Sequence, residues 1–137
     1  MQVTLPATTH SAPSTSLQLW SGRVLSALAI LFLAFDGGIK VLQLAAATES
    51  SNALGLSASA VLAIGYLELA CLAIYAFPRT ATYGAVLLTG FLGGAICTQV
   101  ISGSPTFNII FPLLIAAFLW GGLLLRDARL RAYLTNR

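Results

Sequence analysis

The 137-residue chain is 58% hydrophobic and 8% charged, with a mean hydropathy of +0.89. Soluble domains carry about 45–50% apolar and about 25% charged residues, so an ordinary water-soluble globule is excluded, and so is a charge-rich disordered chain. The formal charge is +3, but the basic residues form no continuous face and no recognition motif, which argues against nucleic acid as a partner.

Residues 1–20 read as a disordered N-terminal tail, of which 1–16 are MQVTLPATTHSAPSTS, rich in Ser, Thr, Pro and Ala and without periodicity. Residues 21–137 form one unit. A spanning helix needs about 20 mostly apolar residues, and four stretches qualify, at about 24–44, 57–77, 81–101 and 107–125. The junctions carry loop chemistry: Thr48-Glu49-Ser50-Ser51-Asn52, then Pro78-Arg79-Thr80, then Ser102-Gly103-Ser104-Pro105. The first junction is long enough for a short interfacial turn. The third and fourth stretches contain no charged residue, whereas the helices of a soluble α-protein would show a charged face. The expected fold is an all-α bundle of four transmembrane helices in the lipid bilayer.

Arginine placement orients the bundle. Arg23 precedes span one, Arg79 joins spans two and three, and Arg126, Arg129, Arg131 and Arg137 follow span four. With four spans these positions share one side, while the opposite side carries Glu49 and no arginine. Positive residues collect on the cytoplasmic side, so both termini are expected in the cytoplasm. Trp20 and Trp120 read as interfacial anchors.

Ionisable residues within a span are functional candidates by default. Asp36 and Lys40 are spaced i, i+4 on one face of span one, with Gln43 continuing that face; Glu68 lies in span two. At 1.5 Å rise per residue, Asp36 lies about 18 Å from the inner boundary, Lys40 about 24 Å, Glu68 about 14 Å and Tyr66 about 17 Å. Gln99 and Asn108 lie near the outer side, beside Lys40. These depths suggest an outward-opening polar pocket lined by Asp36, Lys40, Tyr66, Glu68 and Gln99, with Asp36 and Glu68 as the candidate catalytic carboxylates. The structural alternative is a self-satisfied Asp36–Lys40 pair and a hydrogen-bonded Glu68 carboxyl. Cys71 and Cys97 form no Cys-x-x-Cys motif and differ in depth by about 15 Å, too far for a bridge. No metal-ligand cluster is visible, and no metal is expected. Gly90, Gly93 and Gly94 give span three a face of small residues, and Gly121 and Gly122 do the same for span four. Both faces read first as packing within the bundle, with a homodimer through Gly90 and Gly94 as the alternative. Gly37 and Gly38 are expected to loosen span one.

These residues together resemble the DoxX-like family. Phe35-Asp36-Gly37-Gly38-Ile39-Lys40 is similar to the acidic-Gly-x-x-Lys end of its first helix, and Leu87 to Ala95 to its Gly-rich third helix. Phe111-Pro112, Trp120-Gly121-Gly122-Leu123 and the stretch Leu125 to Arg131 are similar to its fourth helix and basic end. The likeness covers about 20–134. It implies a small four-helix protein of the bacterial inner membrane. It also implies an accessory or quinone-associated role beside a membrane redox partner, since the family takes its name from a subunit associated with thiosulfate:quinone oxidoreduction. A small-molecule binder or transporter, or a compact membrane enzyme using Asp36 and Glu68, is the alternative. The family often carries His where this chain has Gln99 and again near Asn108, so ligating or titrating groups are missing there.

Overall fold

The computed structural model describes residues 15–136, so residues 1–14 of the tail expected over 1–20 lie outside them. Six helices follow in order among the described residues: α1 (Ser16–Val41), α2 (Ala45–Ala53), α3 (Ala58–Ala76), α4 (Ala81–Ile101), α5 (Thr106–Arg126) and α6 (Ala128–Thr135). Four of them, α1, α3, α4 and α5, are long and apolar enough to cross a membrane. Helices α3, α4 and α5 match the expected stretches to within a residue at each end, whereas α1 starts eight residues before the expected 24 and ends three before the expected 44; α2 is the short helical turn of the first junction.

The expected tail is too long at its C-terminal end. Helix α1 begins at Ser16, because Thr15 and Gln18 make a capping box. The Gln18 N–H donates to Thr15 Oγ1, and the Gln18 side chain accepts from the Thr15 N–H. This supplies two of the partners that the first turn of a helix otherwise lacks. The Thr-x-x-Gln spacing was visible in the sequence. At its other end α1 does not loosen at Gly37 and Gly38 but continues to Val41. It stops in a Schellman turn, with the Leu44 N–H on the Ile39 carbonyl and Gln43 in the left-handed region at φ 54°. Helix α4 ends the same way with Gly103 at φ 65°, where no side chain opposes that conformation.

The spanning helices close a ring in which α1 packs on α3 and α5, and α4 packs on α3 and α5. The backbones of the diagonal pairs, α1 with α4 and α3 with α5, stay apart. Two close crossings set the ring. A Cβ on Gly122 would lie 2.4 Å from Ser26 Oγ and 2.7 Å from Ser26 N, so α5 rests directly on α1. A Cβ on Gly65 would lie 2.8 Å from Lys40 Cβ and 3.1 Å from the Gly37 carbonyl oxygen, so α3 rests on α1 there. Between them the core fills with Ala29, Leu33, Leu72, Tyr75, Leu88, Leu119 and Leu123. Large apolar side chains such as Leu31, Phe35, Leu67, Phe77 and Leu113 point outward. The core is apolar as in a soluble bundle, but the outer surface is apolar too, which suits contact with acyl chains.

Gly90, Gly93 and Gly94 do not pack within the bundle. A Cβ at any of the three would meet nothing within 4 Å. The four-helix ring is already closed by other crossings, and this face of α4 looks away from it.

Candidate functional site

The lower half of the core is held by hydroxyl groups. Tyr75 on α3 is fully buried; its hydroxyl donates to the Leu119 carbonyl of α5 at 2.8 Å. With that proton committed, the Ser26 hydroxyl of α1 is the donor to Tyr75 Oη, at 3.1 Å. One tyrosine thereby ties three helices together. Trp120, expected as an interfacial anchor, instead donates Nε1–H to Thr89 Oγ1 at 2.8 Å and joins α5 to α4.

One and two turns above Tyr75, the same inward face of α3 carries Cys71 and Glu68. Glu68 has no exposed surface. Its Oε2 accepts from Lys40 Nζ at 2.8 Å. The same ammonium donates to Asp36 Oδ2, one turn below Lys40 on α1. A single cation therefore serves two carboxylates from two helices, and the ammonium lies 5.7 Å from the centre of the Phe91 ring on α4. The close crossing of Gly37 and Gly65 makes this reach short. Gln43 closes the end nearer α2, donating Nε2–H to the Lys40 carbonyl at 3.1 Å and to the Ala58 carbonyl at 3.2 Å.

Of the five residues expected to line one pocket, the structure joins three: Asp36, Lys40 and Glu68. Tyr66 is not among them. It is 59% exposed on the outer surface of α3, because residues two apart on a helix point about 200° from each other. Equal depth therefore did not mean a shared face. Gln99 is part-buried on α4, and its Oε1 is buried without a hydrogen-bond partner; it bonds to none of the three charged residues. Asn108 is exposed. Cys71 is buried and Cys97 exposed, both as free thiols. Among the described residues no group of His, Cys, Asp and Glu is arranged to hold a metal ion.

Two features of this region were not read from the sequence. One is the Tyr75–Ser26 pair, whose only signal was a Ser and a Tyr on small-residue faces. The other is the second carboxylate oxygen of Glu68: Oε1 is buried and has no hydrogen-bond partner in the protein. A buried polar atom without a partner costs about 1–3 kcal/mol, more when charged.

The sequence itself supplies the remaining finding. A family model described as the DoxX-like family matches residues 24–122. The chain belongs to the DoxX-like family. The matched stretch of this DoxX-like protein runs from α1 through Gly122 of α5, and so includes the charge cluster and the Tyr75 network. With its four apolar helices, it is an integral membrane protein. No curated protein and no solved structure matches it.

Proposed function

We propose that this DoxX-like protein is an accessory subunit of a redox system in the bacterial inner membrane, and that the Asp36–Lys40–Glu68 cluster receives a quinone-type headgroup. The observation that carries this reading is the buried, unpartnered Oε1 of Glu68 beside an ammonium donor. A quinone is oxidised and reduced by two electrons and two protons, so its headgroup alternates between carbonyl and hydroxyl. Lys40 can donate to a carbonyl oxygen, and Glu68 Oε1 can accept from a hydroxyl. Phe91, packed against the ammonium, offers a ring face. Asp36 keeps Lys40 charged and in place while Glu68 exchanges partners. The membrane oxidoreductase that exchanges electrons with such a quinone would be the redox partner.

The test is binding of a short-chain quinone to the purified protein. Quinone should co-purify with the wild type. Glu68→Gln keeps the shape but removes the anionic acceptor, and should weaken binding about tenfold or more, the range for a hydrogen bond to a charged group. Quinone retention no higher than in empty micelles overturns the reading.

A second reading concerns assembly. The open Gly90, Gly93 and Gly94 face of α4 supports a homodimer, since small residues let two membrane helices approach closely. The arginines gathered at the end of the bundle that bears the first and last described residues support a cytoplasmic side for that end, as the positive-inside rule expects.

A further inference from the structure

The chain has four acidic residues, and the structure accounts for each. Asp36 and Glu68 are bound to Lys40. Glu49 sits on α2, at the opposite end of the bundle from the arginines. Asp127 caps α6, with Oδ1 accepting from the Arg129 N–H at 3.0 Å and the Leu130 N–H at 3.1 Å. The arginines at the other end therefore have no salt bridge among the described residues.

Arg126 is the most demanding of them. Gly22 lets α5 approach α1 so closely that a Cβ there would lie 2.9 Å from Arg126 N. The Arg126 side chain leaves α5 at this crossing and lays its guanidinium over the Tyr75 ring, 5.3 Å from the centre. It donates to no acceptor among the described residues, and its Nη2 is buried. The carbonyl ends of α5 favour a cation there, but Arg131 Nη1 already takes the Leu124 carbonyl, at 3.4 Å. Helix dipoles supply partial charges; Arg126 is only part-buried, but its Nη2 is out of water with no acceptor, and an anion would supply the missing partner. Arg23, the residue after Gly22, and Arg129 are exposed beside it on the sequence-adjacent turns of α1 and α6.

We propose that this arginine cluster, centred on Arg126, binds the phosphodiester headgroup of an anionic phospholipid. Planar guanidinium groups pair with phosphate oxygens through two parallel hydrogen bonds. The location favours a lipid over a dissolved anion. Helix α1 is about 39 Å long against a hydrocarbon core of about 30 Å, so its first turns lie at headgroup level. Trp20 and Tyr133 are exposed at this end, as aromatic residues at a membrane interface are.

The test uses the full chain in nanodiscs of phosphatidylcholine with one-fifth phosphatidylglycerol, and counts retained lipids by native mass spectrometry after release. The wild type should retain phosphatidylglycerol over phosphatidylcholine, and Arg126→Gln should cut that preference about fivefold, the effect of about one surface charge on an anionic lipid. Millimolar inorganic phosphate should leave the preference intact; displacement by it would move the site from a lipid to a free anion and overturn the proposal. Equal retention of both lipids by the wild type overturns it too, as does an unchanged preference in a folded Arg126→Gln. Should that variant lose its helical circular dichroism, Arg23→Gln/Arg129→Gln decides, because both side chains are exposed and hold no core contact. The double variant must then lose the preference.

Discussion

Lys40 is one ammonium shared by two carboxylates, and it sets the electrostatic balance of the half of the bundle nearer α2. Replacing it with methionine, which has a similar shape, leaves Glu68 buried with its cationic partner gone. Breaking a buried pair by removing one member costs about 3–5 kcal/mol, so Lys40→Met should lower stability by that amount in a detergent unfolding titration. Adding Glu68→Gln should restore part of the loss, because the worst uncompensated charge is then gone. An unchanged midpoint in Lys40→Met would mean that the carboxylates do not depend on the ammonium. At this scale the i, i+4 spacing of Asp36 and Lys40 was legible, since it is a property of one helix. The membership of Glu68 was legible in its depth. Tyr66 was misplaced because depth along an axis says nothing about direction around it. The inward face of α3 runs through Gly65, Glu68, Cys71 and Tyr75, and Tyr66 falls on the other side.

Between helices, glycine decides which faces touch. At Gly122 an added methyl would meet the Ser26 hydroxyl and backbone; the backbone cannot turn aside as a flexible side chain can. Gly122→Ala should therefore force α1 and α5 apart and cost about 1–3 kcal/mol, the usual penalty of overpacking. Gly90→Ala meets open space and should stabilise the isolated protein by up to about 1 kcal/mol through helix propensity. The pair of variants, compared by thermal unfolding in the same detergent, checks the assignment; equal effects would contradict it. The sequence shows both glycine sets as small-residue faces and has no means of ranking them. The Gly122 face is used because Gly22 and Ser26 on α1 are small as well, so the two backbones can close on each other.

The whole molecule is a ring of four helices, which leaves one face of α4 free to meet a second copy. Cys97 lies on that face, exposed, one turn beyond Gly93 and Gly94. In a parallel dimer crossing at the glycines, the two Cys97 thiols come near each other. Mild oxidation in native membranes should then give a covalent dimer that Cys97→Ser abolishes and Gly90→Leu/Gly94→Leu suppresses, while buried Cys71 stays unmodified. A chain that remains monomeric on a denaturing gel under these conditions would remove the dimer reading.

Composition and hydrophobic length together determined the membrane setting, because 58% hydrophobic and 8% charged residues leave four long stretches with almost nothing to turn toward water. Hydrophobic length and loop chemistry determined the existence of four spans, and the ends of α3, α4 and α5 to within a residue, since each span satisfies its own backbone hydrogen bonds whatever its neighbours do. The start of α1 at Ser16 was written in Thr15 and Gln18 and is equally local. Which polar groups meet was decided only by the tertiary structure. The rotation of each helix about its axis is set by contacts between helices, here the crossings of Gly22 and Ser26 with Gly122 and of Gly37 with Gly65. Those rotations bring Glu68 onto Lys40, turn Tyr66 and Gly90 outward, and stand Arg126 over Tyr75.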